Sequence, residues 1–210
     1  HALDRRQRQM CIRDSVSDGE MSKISYATYI KDRIDGFSGE SERRAPADLD
    51  DFPEYKEKIA KSGGTPTYTR PCCTNELKVK DETSLLQDIN NFKNSLDKLN
   101  HRHAFMNSAS PGVINVFMPN KFYSTEDEYL DKLSNIMAKE YELITKSDIQ
   151  VQLDCPDLAL ARHMNFKNLS EDEFIKRAEL QIECLNSALS NVDVEPVSYT
   201  HLRAHETIAN

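Results

Sequence analysis

Three polar clusters carry the side chains that chemistry needs. Asp18 and Glu20 flank Gly19 in VSDGEMSK, Asn107, Ser108 and Ser110 close the run AFMNSASPG, and Asp154 and Asp157 close QLDCPDLAL. The second and third clusters stand where an apolar run of strand length gives way to turn residues. In parallel α/β proteins the reacting groups gather beyond the C-terminal ends of the strands. Taken singly, each of these residues could be a solvated turn residue or a helix cap; their convergence carries the argument. Asp154 is the strongest, because a strand precedes it and Cys155-Pro156 fixes the backbone behind it. Two carboxylates at one mouth suit an ammonium group, since each accepts charge-assisted hydrogen bonds from an amine. A general acid paired with a general base is the other chemistry open to them.

Metal ligation is a weaker reading. His101-x-His103 and Cys72-Cys73 are the close ligand pairs outside the two chain ends, and neither has the paired spacing of a structural zinc site. His163, in LALARHMNF, fits a helix start or a supporting role better than ligation. Arg70, in TYTRPCC, is placed to meet a carboxylate or phosphate from a loop.

The elements that must position these groups are legible from periodicity. Thr125 and Glu128 form a capping-box pattern ahead of Tyr129, Leu130, Leu133, Ile136, Met137, Tyr141 and Ile144, spaced for one helical face. Ser170 and Glu173 repeat the device before Phe174, Ala178, Ile182, Leu185 and Leu189. Leu85, Leu86, Ile89, Phe92, Leu96 and Leu99 predict an earlier helix. His103–Ser108 and Ile149–Leu153 have strand length, so strands alternate with helices as in a parallel sheet. Residues 36–74, rich in Gly, Pro, Ser and charge, read as a long excursion with a short helix near Tyr55 to Lys61, and as a cover over the site. No strand pattern precedes Asp18.

Composition narrows the function classes. The 210 residues carry a formal charge of −8, 38% hydrophobic and 30% charged residues. That balance disfavours a phosphate-backbone partner, which needs a basic stripe. No apolar run approaches membrane-spanning length and no leader pattern is present, so a cytoplasmic protein without a membrane partner is expected. Five cysteines without framework spacing point to free thiols. The ends, 1–15 (HALDRRQRQMCIRDS) and 197–210 (VSYTHLRAHETIAN), show no period and resemble peptides translated from sequencing-adapter DNA; residues 16–196 are read as the genuine segment.

The blocks VSDGEMSKISYATYIKDR, SGGTPTYTRP, AFMNSASPGVINVFMPNKFY and QLDCPDLALARHMNF resemble, in order, the cobalamin-independent methionine synthase family in its single-barrel branch. The resemblance covers residues 16–196. It implies a partial TIM (β/α)8 barrel, with about half the barrel present and a preceding strand lost. It also implies transfer of a methyl group from a methyl-folate to the thiol of homocysteine, which zinc holds as thiolate. Glu20 in the DGE block and Asp154 in QLDCPDLAL match the family's two carboxylates for the homocysteine amine, and Ser110 joins them as a substrate contact. Arg70 and Pro71 match the folate-contacting loop, and Phe117 stands where the family has a tryptophan beside the pterin. Leu160 departs from the pattern, standing where the longer enzymes carry a second folate-binding carboxylate. The zinc ligands are expected beyond residue 196, so the chain should carry substrate carboxylates but no metal site, and no activity alone. Two rivals remain: a related barrel enzyme of the methionine synthase/uroporphyrinogen decarboxylase type that alkylates another thiol such as coenzyme M or decarboxylates a porphyrin, and a non-catalytic amino-acid-binding module.

Overall fold

The computed structural model describes residues 15–41, 47–61, 70–192 and 197–200. Four strands, β1 (Ser15–Ser17), β4 (His103–Ala109), β5 (Gln150–Asp154) and β6 (Val197–Thr200), form one sheet in the order β1-β4-β5-β6, and every pairing is parallel. Parallel neighbours need crossover connections. Helix α3 (Thr83–Leu96) returns the chain to β4. The pair α4 (Pro111–Phe117) and α5 (Glu126–Lys146) leads from β4 to β5, and α6 (Leu160–Met164) with α7 (Glu171–Ala188) follows β5. The expected strand–helix alternation is therefore present.

Caps fix the long helices where their signals stand. Ser170 and Glu173 complete a reciprocal capping box at α7. At α5 the device is split: the Thr125 hydroxyl accepts from the Glu128 amide at 3.1 Å, while the Glu128 carboxylate reaches the Ser124 amide instead, also at 3.1 Å. Helix α3 stops at Leu96, so Leu99 falls outside its stripe and is exposed.

The excursion over 36–74 is bounded by order. Strand β2 (Ile34–Ser38) pairs antiparallel with β3 (Cys72–Val79), and between them lie a 3-10 turn (Ala47–Asp51) and α2 (Pro53–Lys61). A register shift falls at Gly36, whose φ is 107° and whose missing Cβ would come within 2.8 Å of the Glu76 carbonyl and the Leu77 side chain. Only glycine fits there. The short helix α1 (Ile30–Arg33) leads directly into β2.

Two expectations are corrected at the ends of the sheet. A strand does precede Asp18, and Val197–Thr200, read as patternless, pairs in register with Val151–Asp154. Three- and four-residue runs are too short to show a period, although Val and Tyr favour strands.

The core lies between the sheet and its helices. Ala104 and Met106 of β4 and Val151 and Leu153 of β5 are buried with Leu133, Met137, Tyr141 and Ile144 of α5 and with Ile89 and Phe92 of α3. Each buried Val, Leu, Ile, Phe or Met among them contributes about 1.5–3 kcal/mol. The alternate residues, Phe105, Asn107, Gln150, Gln152 and Asp154, share the opposite face and stay half-buried. Cys72, Cys73, Cys155 and Cys184 are buried free thiols, and Cys11 lies outside the described residues. No described helix is long and apolar enough to cross a membrane.

Candidate substrate-binding site

Because the sheet is parallel, Ser17, Ala109 and Asp154 end their strands on the same side, and the loops after them form one mouth. The first loop turns sharply. Gly19 and Glu20 both have left-handed backbone, φ 64° and 53°, and the Ser17 hydroxyl and Asp18 carboxylate accept from the amides of Gly19 and Glu20, each at 3.2 Å. Left-handed geometry at a glutamate costs about 1 kcal/mol, so the surrounding contacts must impose it.

That turn brings Glu20 within electrostatic reach of Asp154. Partial burial raises the Glu20 carboxyl above its ordinary value; the Lys23 ammonium opposes this, and the Asp154 and Asp18 charges reinforce it. Asp154 is oriented by two amides from the half-buried sheet face. Asn107 donates to Oδ2 at 2.8 Å and Gln152 to Oδ1 at 3.1 Å. One donor on each oxygen fixes the plane of the carboxylate. Lys23 ties the loop to the sheet, donating its ammonium to the main-chain oxygen of Asn107 and lying 4.7 Å from the Tyr29 ring centre.

Beneath the sheet lies a buried network. Glu140 of α5 accepts from Tyr29 at 2.5 Å, from Ser108 at 2.7 Å and from Arg33 at 2.9 Å, while Arg33 also pairs with Asp88 at 2.6 Å. Burial pushes the Glu140 carboxyl up, but Arg33, Lys23 and the Tyr29 and Ser108 hydroxyls outweigh it and hold the group below the ordinary glutamate value. The Tyr29 phenol is raised well above its usual range by burial and by the Glu140 charge.

The second predicted cluster is divided by the pleat. Asn107 faces the mouth, whereas Ser108 points to Glu140. Ser110 is buried, caps α4 by accepting from the Val113 amide at 3.1 Å, and donates to Asp157 at 3.1 Å. Its hydroxyl is thus committed to the frame of the site. Asp157 is pushed up to about 6 by burial, against the opposing Ser110 bond, and its neighbour Cys155 is pushed up to about 12 by burial and the Asp157 charge. Gly112 makes room for Asp157, because a Cβ there would stand 2.1 Å from Oδ2.

Arg70, Pro71 and Phe117 do come together. Pro71 and Phe117 are buried, Arg70 lies 5.0 Å over the Phe117 ring, and Tyr26 meets the same ring edge-on at 5.4 Å. The guanidinium covers one face of the ring. His163 is exposed on α6, and His101 and His103 sit at the start of β4, the far end from Asp154. Among the described residues no cluster of three or more His, Cys, Asp or Glu could hold a metal, so these residues do not fit a zinc site and no step through zinc follows from them.

No family model and no curated protein matches the chain. Among solved structures it is similar to a B12-independent methionine synthase from Shewanella sp. W3-18-1, determined in complex with selenomethionine. The TM-score is 0.61 at 14% sequence identity. The match covers 95% of this chain and 49% of that one, so the chain spans about half the length of this structural relative. Likeness at this identity establishes shared fold: a mixed α/β arrangement with a parallel sheet.

Several residues of the site gave little warning in the sequence. Gln152 had one signal, the alternation Ile-Gln-Val-Gln-Leu, in which polar residues interrupt a strand of a parallel sheet. Lys23, Tyr29, Arg33 and Glu140 had none, because their contacts span 32 to 111 positions along the chain.

Proposed function

We propose that this chain is the amine-binding part of a cobalamin-independent, methionine-synthase-like methyltransferase, in which Glu20 and Asp154 hold the α-ammonium of homocysteine while its thiol is methylated. The observation that carries this reading is the convergence of the two carboxylates at the mouth, with Asp154 fixed by Asn107 and Gln152. A carboxylate already oriented by two donors accepts an ammonium with little further ordering. The fold shared with the methionine synthase agrees with it.

The half-buried sheet face supports closure into a (β/α)8 barrel. Parallel sheets are normally covered on both faces, and barrel closure is one way to cover the face that carries Phe105, Asn107, Gln152 and Asp154. In this reading Arg70, Pro71 and Phe117 line the donor side, and a zinc ion held by residues outside the described ones would keep the substrate thiol deprotonated. A second reading keeps the fold and the thiol chemistry but replaces methyl-folate with another alkyl donor. The Arg70 guanidinium over the Phe117 ring and the apolar Leu160 favour it.

The test is calorimetric titration of the chain with homocysteine and with 4-mercaptobutanoate, the same thiol acid without its amine. The proposal expects homocysteine to bind at least about tenfold tighter, as loss of a charge-assisted contact implies. Equal affinity would overturn it.

A further inference from the structure

Gly112 leaves a gap in which two buried side chains meet. A Cβ at Gly112 would stand 2.1 Å from Oδ2 of Asp157 and 3.2 Å from Cγ of Gln181. Asp157 belongs to the 3-10 turn Pro156–Leu158, which comes directly after Asp154 and Cys155, and Gln181 belongs to α7; each is 2% exposed. Neither Nε2 nor Oε1 of Gln181 has a hydrogen-bond partner among the described residues. Buried carboxamides are almost always bonded, so this one calls for a partner that both accepts and donates. The carboxamide begins one bond beyond Cγ, and rotation about the end of the side chain carries it toward the Asp157 carboxyl. An ionised carboxylate only accepts and can serve Nε2 alone. A protonated carboxyl accepts and donates, and so serves both atoms at once.

Among the described residues no cation balances Asp157, and burial holds its proton up to about 6. The packed α4 carries no titratable side chain. Cys155 and Tyr141 of α5 feel the Asp157 charge, and both are raised. Arg162 and His163 of α6 do not contribute to the Asp157 shift, and Arg177 and Cys184, about one turn to either side of Gln181 on α7, face Glu126 and Ser134 instead.

We propose that Gln181 and Asp157 form a proton-gated clasp: the protonated carboxyl donates its O–H to Oε1 and accepts from Nε2, and loss of that proton to solvent breaks the first bond and loosens the turn behind Asp154 from α7. The clasp rests on the gap at Gly112 and the two unpaired atoms of Gln181, and it holds whether or not Glu20 and Asp154 bind an amine.

The test is nuclear magnetic resonance of the full chain from about pH 4 to about pH 8, with the Gln181 carboxamide signals identified by their loss in Gln181→Met. These signals are expected to shift together with the Asp157 carboxyl carbon, at one common midpoint of about 6. Hydrogen exchange gives a second readout. The Leu158 and Ala159 amides, which donate to Cys155 and Pro156 within the turn, should lose about fivefold in protection as pH rises through that midpoint, as loss of about one hydrogen bond implies. Asp157→Asn, whose own carboxamide pairs with Gln181 at any pH, should abolish the titration and keep the turn protected throughout. Gln181→Met should remove most of the pH dependence of that protection. Gln181 signals that stay fixed across the range, or an undiminished pH dependence in Gln181→Met, would overturn the proposal, and the first of these needs no variant that must fold.

Discussion

Glu140 and Asp157 are both buried, at 7% and 2% exposure, yet they are shifted in opposite directions. Burial raises both. Glu140 faces the Arg33 guanidinium at 2.9 Å and accepts two hydroxyl bonds, which together reverse the effect. Asp157 faces a single hydroxyl, from Ser110, and stays raised. The partner, more than the depth, decides which carboxyl is charged. Glu20 shows the same competition in a half-exposed position, where burial, Asp154 and Asp18 outweigh Lys23 and leave it raised. The frame thus contains one carboxylate with its own cation and one carboxyl without, and at the mouth Glu20 feels both the Lys23 cation and the Asp154 and Asp18 charges.

The comparison breaks most strongly at the ion pair. Glu140→Gln leaves Arg33 with Asp88 alone, and removal of one partner of a buried pair costs about 3–5 kcal/mol. Urea denaturation would show this as a lower midpoint at an unchanged slope.

Asp157 makes the opposite prediction. Its native value, about 6, lies above the unfolded 3.8, so the native state binds the proton more tightly and stability falls as pH rises from about 4 to 6. The loss amounts to about 3 kcal/mol by pH 7. Asp157→Asn should flatten this part of the profile, and an unchanged profile would show that the carboxyl is not titrating there. Glu140, held low, contributes above its unfolded value and loses that contribution as pH falls through its native one.

Gly112→Ala sharpens the same pocket. A methyl group 2.1 Å from Asp157 Oδ2 forces the helix or the carboxylate to move, at about 1–3 kcal/mol, and shortening Asp157 to Ser in the same chain should recover most of that.

The smallest effect is expected at Lys23. Lys23→Met removes the cation that opposes the Glu20 shift and frees the loop from Asn107, so homocysteine affinity should change by less than tenfold while stability moves by about 1 kcal/mol or less.

Much of the frame was legible in local pattern. The stripe from Tyr129 to Ile144 and the Ser170–Glu173 box report residues three and four apart, so they predict α5 and α7 well. The strand carrying Asp154 was legible for a similar reason. The division of Asn107 from Ser108 follows from the period-two pleat, but which face meets water depends on what packs beneath, and that is α5, a separate helix later in the chain. The Arg33–Glu140 pair was hidden because a lone charged residue on an amphipathic helix reads as solvated until its partner is placed. The β2–β3 hairpin was read as irregular because Gly36 and the polar Asn75-Glu76 interrupt its alternation.

The central claim, that Glu20 and Asp154 together hold an ammonium, is tested most directly by a double-mutant cycle. Homocysteine affinity is measured for the parent chain, Glu20→Gln, Asp154→Asn and the double variant, across pH 4 to 8. The account predicts that each single change weakens binding about tenfold or more, that the double change costs less than the sum, and that parent affinity falls with pH as Glu20 protonates above the ordinary glutamate range. Affinity unchanged in either single variant would contradict it.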